Sequence, residues 1–196
     1  MGFLSVLSFA HKLVTDRLSA GGIAVDGTAG TGADTLFLAE KAGSRGKVYA
    51  LDIQEQALQL TRARLERAAS KKLAEVELVL GSHHAMLELL PPSCRGKVSA
   101  IMFNLGYLPA EGADKALITS PSSTLPALEA GLELLAPGGI MTIVLYPGHE
   151  GGREEAAAVE TWCAGIPQLT AQCILYRGLQ RDDAPYLIAL ERKKPL

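Results

Sequence analysis

Short apolar runs alternate with segments of helical periodicity along most of the chain. The runs that predict strands span residues 23–26, 48–52, 76–80, 98–104 and 140–146. The segments that predict helices span residues 34–42, 54–72 and 122–135, the last ending before a Pro-Gly-Gly breaker. Apolar strands that alternate with helices indicate a mostly parallel sheet with helices on both faces.

The two strand-like segments at the C-terminal end, 172–176 and 186–191, are joined by polar residues 177–183 that leave no room for a helix. They predict a hairpin, which puts an antiparallel strand into the sheet. This arrangement resembles the seven-stranded, Rossmann-like α/β sheet of class I methyltransferases. The amphipathic segment 3–18 is predicted to cap the sheet beside the cofactor site, and we expect one domain over residues 1–196.

Composition excludes several classes of protein. With 196 residues, of which 48% are hydrophobic, the chain suits an ordinary globular domain. No apolar run is long enough to cross a bilayer, so we expect no membrane association and a cytoplasmic location. The three cysteines show no CxxC spacing, and no metal site is predicted. A net charge of −2 argues against extensive duplex binding but is compatible with a small RNA target.

A glycine-rich loop led by an acidic residue follows the first predicted strand. Its glycines let a ligand approach the backbone at the carboxyl edge of the sheet. The D-x-x-x-G-x-G order suits a cofactor that ends in an amino acid, because Asp26 could meet an ammonium group directly or through water. The loop residues predicted to bind cofactor are Asp26, Gly27, Thr28, Gly30, Thr31, Gly32, Asp34 and Thr35.

The next two predicted strands end in further candidate cofactor ligands. Asp52 stands where a carboxylate accepts both ribose hydroxyls, and Ile53 and Gln54 can flank an adenine. After the third strand, Ser82 and His83 are candidates for the adenine edge, although a histidine there is often a capping or surface residue. NAD uses the same ribose-binding element, so an NAD-dependent oxidoreductase remains the alternative.

The fourth predicted strand runs into Asn104-Leu105-Gly106-Tyr107. Methyl transfer to nitrogen needs a neutral lone pair in line with the donor, and the Asn104 side-chain carbonyl and the Leu105 backbone carbonyl could hold the amine hydrogens. Tyr107 offers a stacking face for a base, and Gly106 lets that base approach the backbone. In the alternative interpretation, Asn104 only caps the strand and Tyr107 packs in the core.

Further substrate residues are predicted downstream. The fifth strand leads into Tyr146-Pro147-Gly148-His149, which should lie beside Asn104 across the same cleft. His149 is a candidate acceptor for the proton that an ammonium group loses when it becomes a nucleophile. Asp114, Lys115 and Thr119, in the polar loop after Pro109, are candidates for positioning substrate, although Lys115 could equally be a solvated charge.

These motifs together resemble the putative rRNA methylase family that includes the YtqB-type proteins. The specific part is Phe103-Asn104-Leu105-Gly106-Tyr107-Leu108-Pro109, supported by Asp52-Ile53-Gln54 and Tyr146-Pro147-Gly148-His149. The resemblance implies S-adenosylmethionine as cofactor and methylation of the 5-aminomethyl group of wobble 2-thiouridine in the tRNA anticodon loop. Methylation of rRNA or of a small molecule, and a non-catalytic RNA-binding module, remain alternatives.

The sequence departs from the family pattern in two places. Thr31-Gly32-Ala33 stands where Asn-Gly-His is expected, and Asp183-Ala184-Pro185-Tyr186 where Asn-x-Pro-Pro is expected. Cofactor binding should survive these changes, whereas the second change bears on substrate identity. A catalytic domain without an RNA-binding appendage would gain recognition surface as a homodimer, which we also predict.

Overall fold

A computed structural model describes residues 2–68, 72–108, 110 and 117–194 of the chain. Seven strands form one sheet in the order β3-β2-β1-β4-β5-β7-β6. The strands are β1 Ile23–Asp26, β2 Lys47–Asp52, β3 Glu75–Leu80, β4 Val98–Asn104, β5 Leu135–Leu145, β6 Ala171–Tyr176 and β7 Tyr186–Arg192. Strand β7 runs antiparallel to both β5 and β6, so the other six strands are parallel to one another. The predicted fold class is confirmed.

The helices are α1 Val6–Thr15, α2 Ala33–Ala42, α3 Glu55–Arg67, α4 Met86–Leu89, α5 Pro121–Leu134 and α6 Gly152–Gly165. Helix α4, which has one turn, and helix α6 were not predicted from the sequence. Helix α6 starts at a Gly-Gly pair, which conceals its beginning, but its buried Ala156, Val159 and Cys163 show helical spacing. None of the helices in the described ranges combines the length and apolar character needed to cross a bilayer.

Alternation along the central strands divides the core between the two faces of the sheet. Val25 and Ile101 belong to the apolar cluster that also contains buried residues of α5 and α6. Their neighbours Ala24 and Ala100 belong to the cluster on the opposite face, which contains buried residues of α1 and α2. Because successive side chains of a strand point to opposite faces, a short apolar strand serves both clusters.

Several element boundaries differ from those predicted, most of them by one residue. Helix α3 ends at Arg67 rather than at residue 72, because the apolar periodicity does not continue into the charged end of that segment. Strand β5 begins at Leu135, before the Pro-Gly-Gly breaker, and its register against β4 shifts between Val98 and Ala100. The breaker therefore sits in an irregular stretch of the strand rather than in front of it. Helix α5 starts at Pro121, a residue whose ring favours the first helical turn.

Helix α1 lies where the sequence predicted a cap. Ser5 precedes it, and the Ser5 hydroxyl accepts the Ser8 backbone N–H at 3.1 Å. Buried Ala10 and Val14 attach the helix to the sheet. Leu7, one turn earlier on the helix, lines the cavity described next. The N-terminal helix thus forms part of the functional site.

Candidate active site

One cavity of about 590 Å³ opens at the carboxyl edge of the sheet, where β1, β2, β3 and β4 end. This is the edge at which open α/β sheets bind their ligands. Most of the predicted site residues line it, namely Gly27, Thr28, Gly30, Thr31, Asp34, Asp52, Ile53, Gln54, Ser82, His83, Asn104, Leu105, Gly106, Tyr107, Tyr146 and His149. The predicted cofactor and substrate residues therefore share one hollow. Asp114 and Lys115 lie outside the described residues.

Asp26 is the main correction to the predicted site. It is 1% exposed and does not line the cavity, and neither do Gly32 and Thr35. One Asp26 oxygen accepts the Thr28 backbone N–H at 3.1 Å, and the other accepts the Thr35 hydroxyl at 2.6 Å. Burial, followed by the neighbouring Asp34 carboxylate, raises the pKa of Asp26 to about 7. Asp26 thus shapes the glycine loop from behind, because its carboxylate is turned inward by these two bonds.

The glycine loop is held by α3 as well as by Asp26. The Arg64 side chain donates from Nε to the Thr31 carbonyl at 2.7 Å. Gly32 has φ +77°, and a side chain there would place its Cβ 2.7 Å from the Thr61 backbone. Only glycine fits both the left-handed conformation and this close approach. Gly32 therefore allows the glycine loop to pack closely on α3 and does not itself line the cavity.

Asp52 faces the cavity at the end of β2. Its carboxylate oxygens accept the Gly30 N–H at 3.0 Å and the Gln54 N–H at 2.9 Å. These bonds, with a further one from the Ile53 N–H, fix the carboxylate, and its oxygens still face the cavity. Burial raises the pKa of Asp52. The geometry suits a pair of vicinal hydroxyls, as the sequence predicted for a ribose.

His83 lies at the far side of the same cavity, after β3. It is buried, its ring hydrogen-bonds to the Gly27 backbone, and its Nε2 has no partner among the described residues. Burial lowers the pKa of His83 to about 4, so the ring is neutral near pH 7. A neutral, buried ring nitrogen without a partner fits a site that receives a hydrogen-bonding ligand. His83 is thus neither an exposed nor a merely capping residue.

Asn104 ends β4 at the centre of the site. Its backbone N–H donates to the Thr28 hydroxyl at 2.8 Å, which joins β4 to the glycine loop. Its side-chain N–H donates to the Asp34 carboxylate, and its side-chain oxygen accepts the Tyr146 hydroxyl at 3.2 Å. Burial and the nearby Asp34 charge raise the pKa of Tyr146, so Tyr146 keeps its hydrogen. The amide is therefore oriented at both ends.

Tyr107 and His149 stand at the mouth of the cavity. Tyr107 is 45% exposed, which excludes the alternative that it packs into the core. Its ring lies 6.3 Å from that of His149, edge to face. His149 Nδ1 donates to the Glu150 carbonyl at 2.9 Å, because a carbonyl only accepts. In the neutral ring this leaves an acceptor lone pair on Nε2, which has no partner among the described residues.

Glu155, in the first turn of α6, holds residues at the edge of the cavity in place and was not predicted from the sequence. It is 2% exposed and accepts the hydroxyls of Thr119 at 2.9 Å and Thr124 at 2.6 Å. Thr119 lines the cavity, and its backbone N–H donates to the Gly106 carbonyl at 3.0 Å. Glu155 thus ties the segment after the polar loop to α6. A helical assignment of residues 152–165 would have placed this acid on the buried face.

The chain matches proteins whose sequences and structures are known. A family model described as putative rRNA methylase matches residues 48–191. A tRNA (mnm(5)s(2)U34)-methyltransferase of Arabidopsis thaliana chloroplasts is 37% identical over 191 residues, covering 94% of this chain and 68% of that protein.

Two solved structures have the same fold along nearly their whole length. A putative rRNA methylase from Clostridium thermocellum has a TM-score of 0.89 and 32% identity, covering 98% of this chain and 100% of that one. A putative methyltransferase from Streptococcus mutans, solved in complex with SAH, has a TM-score of 0.83 and 33% identity, covering 97% and 99%. The family match and the fold agree, and the chain belongs to the putative rRNA methylase family.

Proposed function

We propose that this protein is an S-adenosylmethionine-dependent N-methyltransferase that acts on tRNA. Its substrate is the 5-aminomethyl group of wobble 2-thiouridine, and its product is the 5-methylaminomethyl group. The observation that carries the proposal is that Asn104 and Tyr107 line the same cavity as the glycine loop and Asp52. The tRNA methyltransferase name of the Arabidopsis relative and the SAH bound to the Streptococcus mutans protein support it.

The cavity residues fit the cofactor. Asp52 presents its carboxylate to the two ribose hydroxyls, and Ile53, 49% exposed, presents an apolar surface to the adenine. His83 supplies a buried Nε2 without a partner among the residues described. S-adenosylmethionine supplies, when bound, an electrophilic methyl group on a sulfonium centre. The amino-acid end of the cofactor would lie against the glycine loop, which the Thr28 hydroxyl joins to Asn104.

The residues of the chain prepare the amine. Asn104 Oδ1 uses one lone pair for Tyr146 and keeps one for an amine hydrogen, while the Leu105 carbonyl takes the second hydrogen. This orientation directs the nitrogen lone pair toward the methyl donor. His149 Nε2 accepts the proton that the ammonium form must lose. Tyr107 stacks on the base and Gly106 leaves room for it.

The proposal is tested by incubating the purified protein with S-adenosylmethionine and tRNA that carries the 5-aminomethyl group. Nucleoside mass spectrometry should show the gain of one methyl group on the wobble nucleoside, and Asn104→Ala should lose this activity. Methyl transfer to rRNA but not to tRNA would show that rRNA is the substrate. RNA binding without methyl transfer would favour the non-catalytic RNA-binding module. In calorimetry, S-adenosylhomocysteine should bind and NADH should not. Binding of NADH but not of S-adenosylhomocysteine would instead favour the oxidoreductase.

Three predictions made from the sequence complete the proposal. Asp114 and Lys115 position the tRNA from the polar loop, and the protein works as a homodimer in the cytoplasm. Light scattering at micromolar concentration should give twice the mass of one 20.7 kDa chain. A monomeric mass that persists with tRNA bound would contradict the dimer without affecting the assignment of the activity.

A further inference from the structure

Four side chains from separate elements form a continuous hydrogen-bonded row at the centre of the site. His11, in α1, lies with Nε2 2.6 Å from Asp34 Oδ1. The other Asp34 oxygen accepts the side-chain N–H of Asn104, whose oxygen accepts the Tyr146 hydroxyl. His11 is the only one of the four that does not line the cavity. It therefore reaches the site through Asp34.

We propose that His11 is a positioning residue that orients the amine-binding amide of Asn104 through the Asp34 carboxylate. This inference rests on the proposed function, because Asn104 is there the group that holds the amine. No step of the transfer passes through His11. Its role is to keep one carboxylate in one orientation.

The direction of each bond follows from chemistry. A carboxylate only accepts hydrogen bonds, so Asp34 can be satisfied by Asn104 only through the Asn104 NH₂ group. This forces Asn104 Oδ1 to the opposite side, where Tyr146 also requires an acceptor. A reversed amide would oppose two oxygens at Asp34 and two donors at Tyr146. The Asp34 carboxylate therefore selects the amide orientation that an amine substrate needs.

His11 is suited to hold Asp34. Its ring stacks on Phe37 with 3.9 Å between ring centroids and 5° between planes, which fixes the direction of the Nε2–H bond. The Asp34 side chain is 11% exposed, so it has little water to replace a lost donor. The neighbouring Asp26, when its carboxyl group is charged, repels the Asp34 carboxylate and cannot take the place of His11 as a donor. Without His11, Asp34 would turn toward whatever water is accessible, and its hold on Asn104 would weaken.

A simpler role for His11 would be to fasten α1 to the body of the protein. Buried Ala10 and Val14 already attach α1 to the sheet, and the Tyr176 hydroxyl donates to the Leu4 carbonyl at 2.8 Å. Loss of the His11 bond should therefore leave α1 in place. The two roles then differ in what they change: fastening affects the melting temperature, whereas positioning affects the Asn104 amide and kcat.

The first test needs no turnover. The side-chain NH₂ signals of Asn104 in an amide NMR spectrum are assigned by their loss in Asn104→Ala. In His11→Leu, which keeps the volume but removes the donor, these signals should shift and broaden. In His11→Gln, whose amide nitrogen can replace Nε2–H, they should stay near the wild-type positions. Unchanged Asn104 signals in His11→Leu would overturn the proposal, whether or not the protein methylates tRNA.

The second test uses kinetics. His11→Leu should lower kcat for tRNA methylation roughly 10- to 100-fold while the Kd for S-adenosylhomocysteine changes less than about threefold, and His11→Gln should recover most of the rate. Lys12→Gln, on the exposed side of α1, serves as the matched control and should keep wild-type kcat.

In the Asp34→Asn background, His11→Leu should change kcat less than about twofold, because the coupling between His11 and Asn104 passes through the Asp34 carboxylate. Equal losses in both backgrounds, or a lowered melting temperature as the sole effect, would contradict positioning. An inactive wild type would instead contradict the proposed function.

Discussion

Asn104, at the end of β4, donates its side-chain N–H to the carboxylate of Asp34, in the first turn of α2. This contact joins the two halves of the site, because Asp34 belongs to the glycine-loop region and Asn104 to the segment predicted to hold the amine. The Asn104 backbone N–H makes a second link to the same region through the Thr28 hydroxyl at 2.8 Å. The relative position of cofactor and substrate is thus set by side chains as well as by the sheet.

The role of Asn104 can be measured directly. Replacing Asn104 by Ala removes the oxygen that orients the amine and should lower kcat by about two orders of magnitude or more. The Kd for S-adenosylhomocysteine should change less than about threefold. Steady-state kinetics with modified tRNA and calorimetry give the two values. An Asn104→Ala enzyme with wild-type kcat would remove Asn104 from the mechanism.

Asp52 should control cofactor affinity. In Asp52→Ala the acceptor oxygens for two hydroxyls are lost, and each charged hydrogen bond is worth about 1.5–3 kcal/mol. We expect S-adenosylhomocysteine to bind at least about 100-fold more weakly by calorimetry. Asp16→Asn, an exposed acid at the end of α1, is the control and should bind as the wild type does. Comparable affinity in Asp52→Ala would mean that the ribose lies elsewhere.

A substitution at Gly106 tests whether catalysis needs the space between this residue and His149. It has φ +147°, and a Cβ there would lie 3.3 Å from His149 Nε2. We expect Gly106→Ala to lower kcat by about tenfold or more, because it displaces the proton acceptor and narrows the space for the base. Gly96→Ala is a matched control, since Gly96 has φ +67° with no atom within 4 Å of its Cβ. That variant should lose about 1–2 kcal/mol of unfolding free energy but keep its kcat. Equal kcat in the Gly106→Ala and Gly96→Ala variants would count against His149 as the proton acceptor and against a base beside Gly106.

The buried Asp26 should make stability depend on pH. Burial and the Asp34 carboxylate raise the pKa of Asp26 to about 7 in the folded protein, above its ordinary value of 3.8. The folded state then binds more protons than the unfolded state between these values, so the free energy of unfolding falls as pH rises through this range. Between pH 5 and pH 8 the loss from this group should be roughly 2 to 3 kcal/mol.

Chemical denaturation of the wild type and Asp26→Asn at both pH values isolates this contribution. The amide that replaces the carboxyl group in this variant does not titrate, so the variant should lose less unfolding free energy than the wild type on going to pH 8. The same pH slope for the two proteins would show that Asp26 titrates normally when folded.

Much of the fold was predictable because its signals are local. An apolar run of four to seven residues identifies a strand wherever it lies, although β3, also predicted to be buried, is an edge strand without a buried residue. Asp52 and Asn104 each end such a run, and the glycine loop follows one directly. Since parallel strands end at one edge, their order in the sequence was enough to bring these residues together. Helix α6 was not predicted because it starts at a Gly-Gly pair and most of its apolar residues are alanines, which give a weak hydrophobic pattern.

The orientation of Asp26 could not be read from the sequence. An acid at the end of a strand can face a ligand or turn inward, and the choice depends on donors at Thr28 and Thr35 that only the folded loop brings into reach. The position of Glu155 could not be read from the sequence either. Its carboxylate is buried where it accepts the hydroxyls of Thr119, just before α5, and Thr124, within α5.

The sequence alone determined the class of sheet, the family and the motifs of the site, since periodicity, turn residues and strand-end residues act over a few neighbouring positions. The side chains that complete the site come from distant parts of the sequence: His11 reaches Asp34 across 23 positions, and Asn104 reaches it across 70. Hydrogen bonds of this kind require donor and acceptor to meet within about 3 Å. That distance is set by the packing of α1 and α2 on the sheet, which no local pattern specifies.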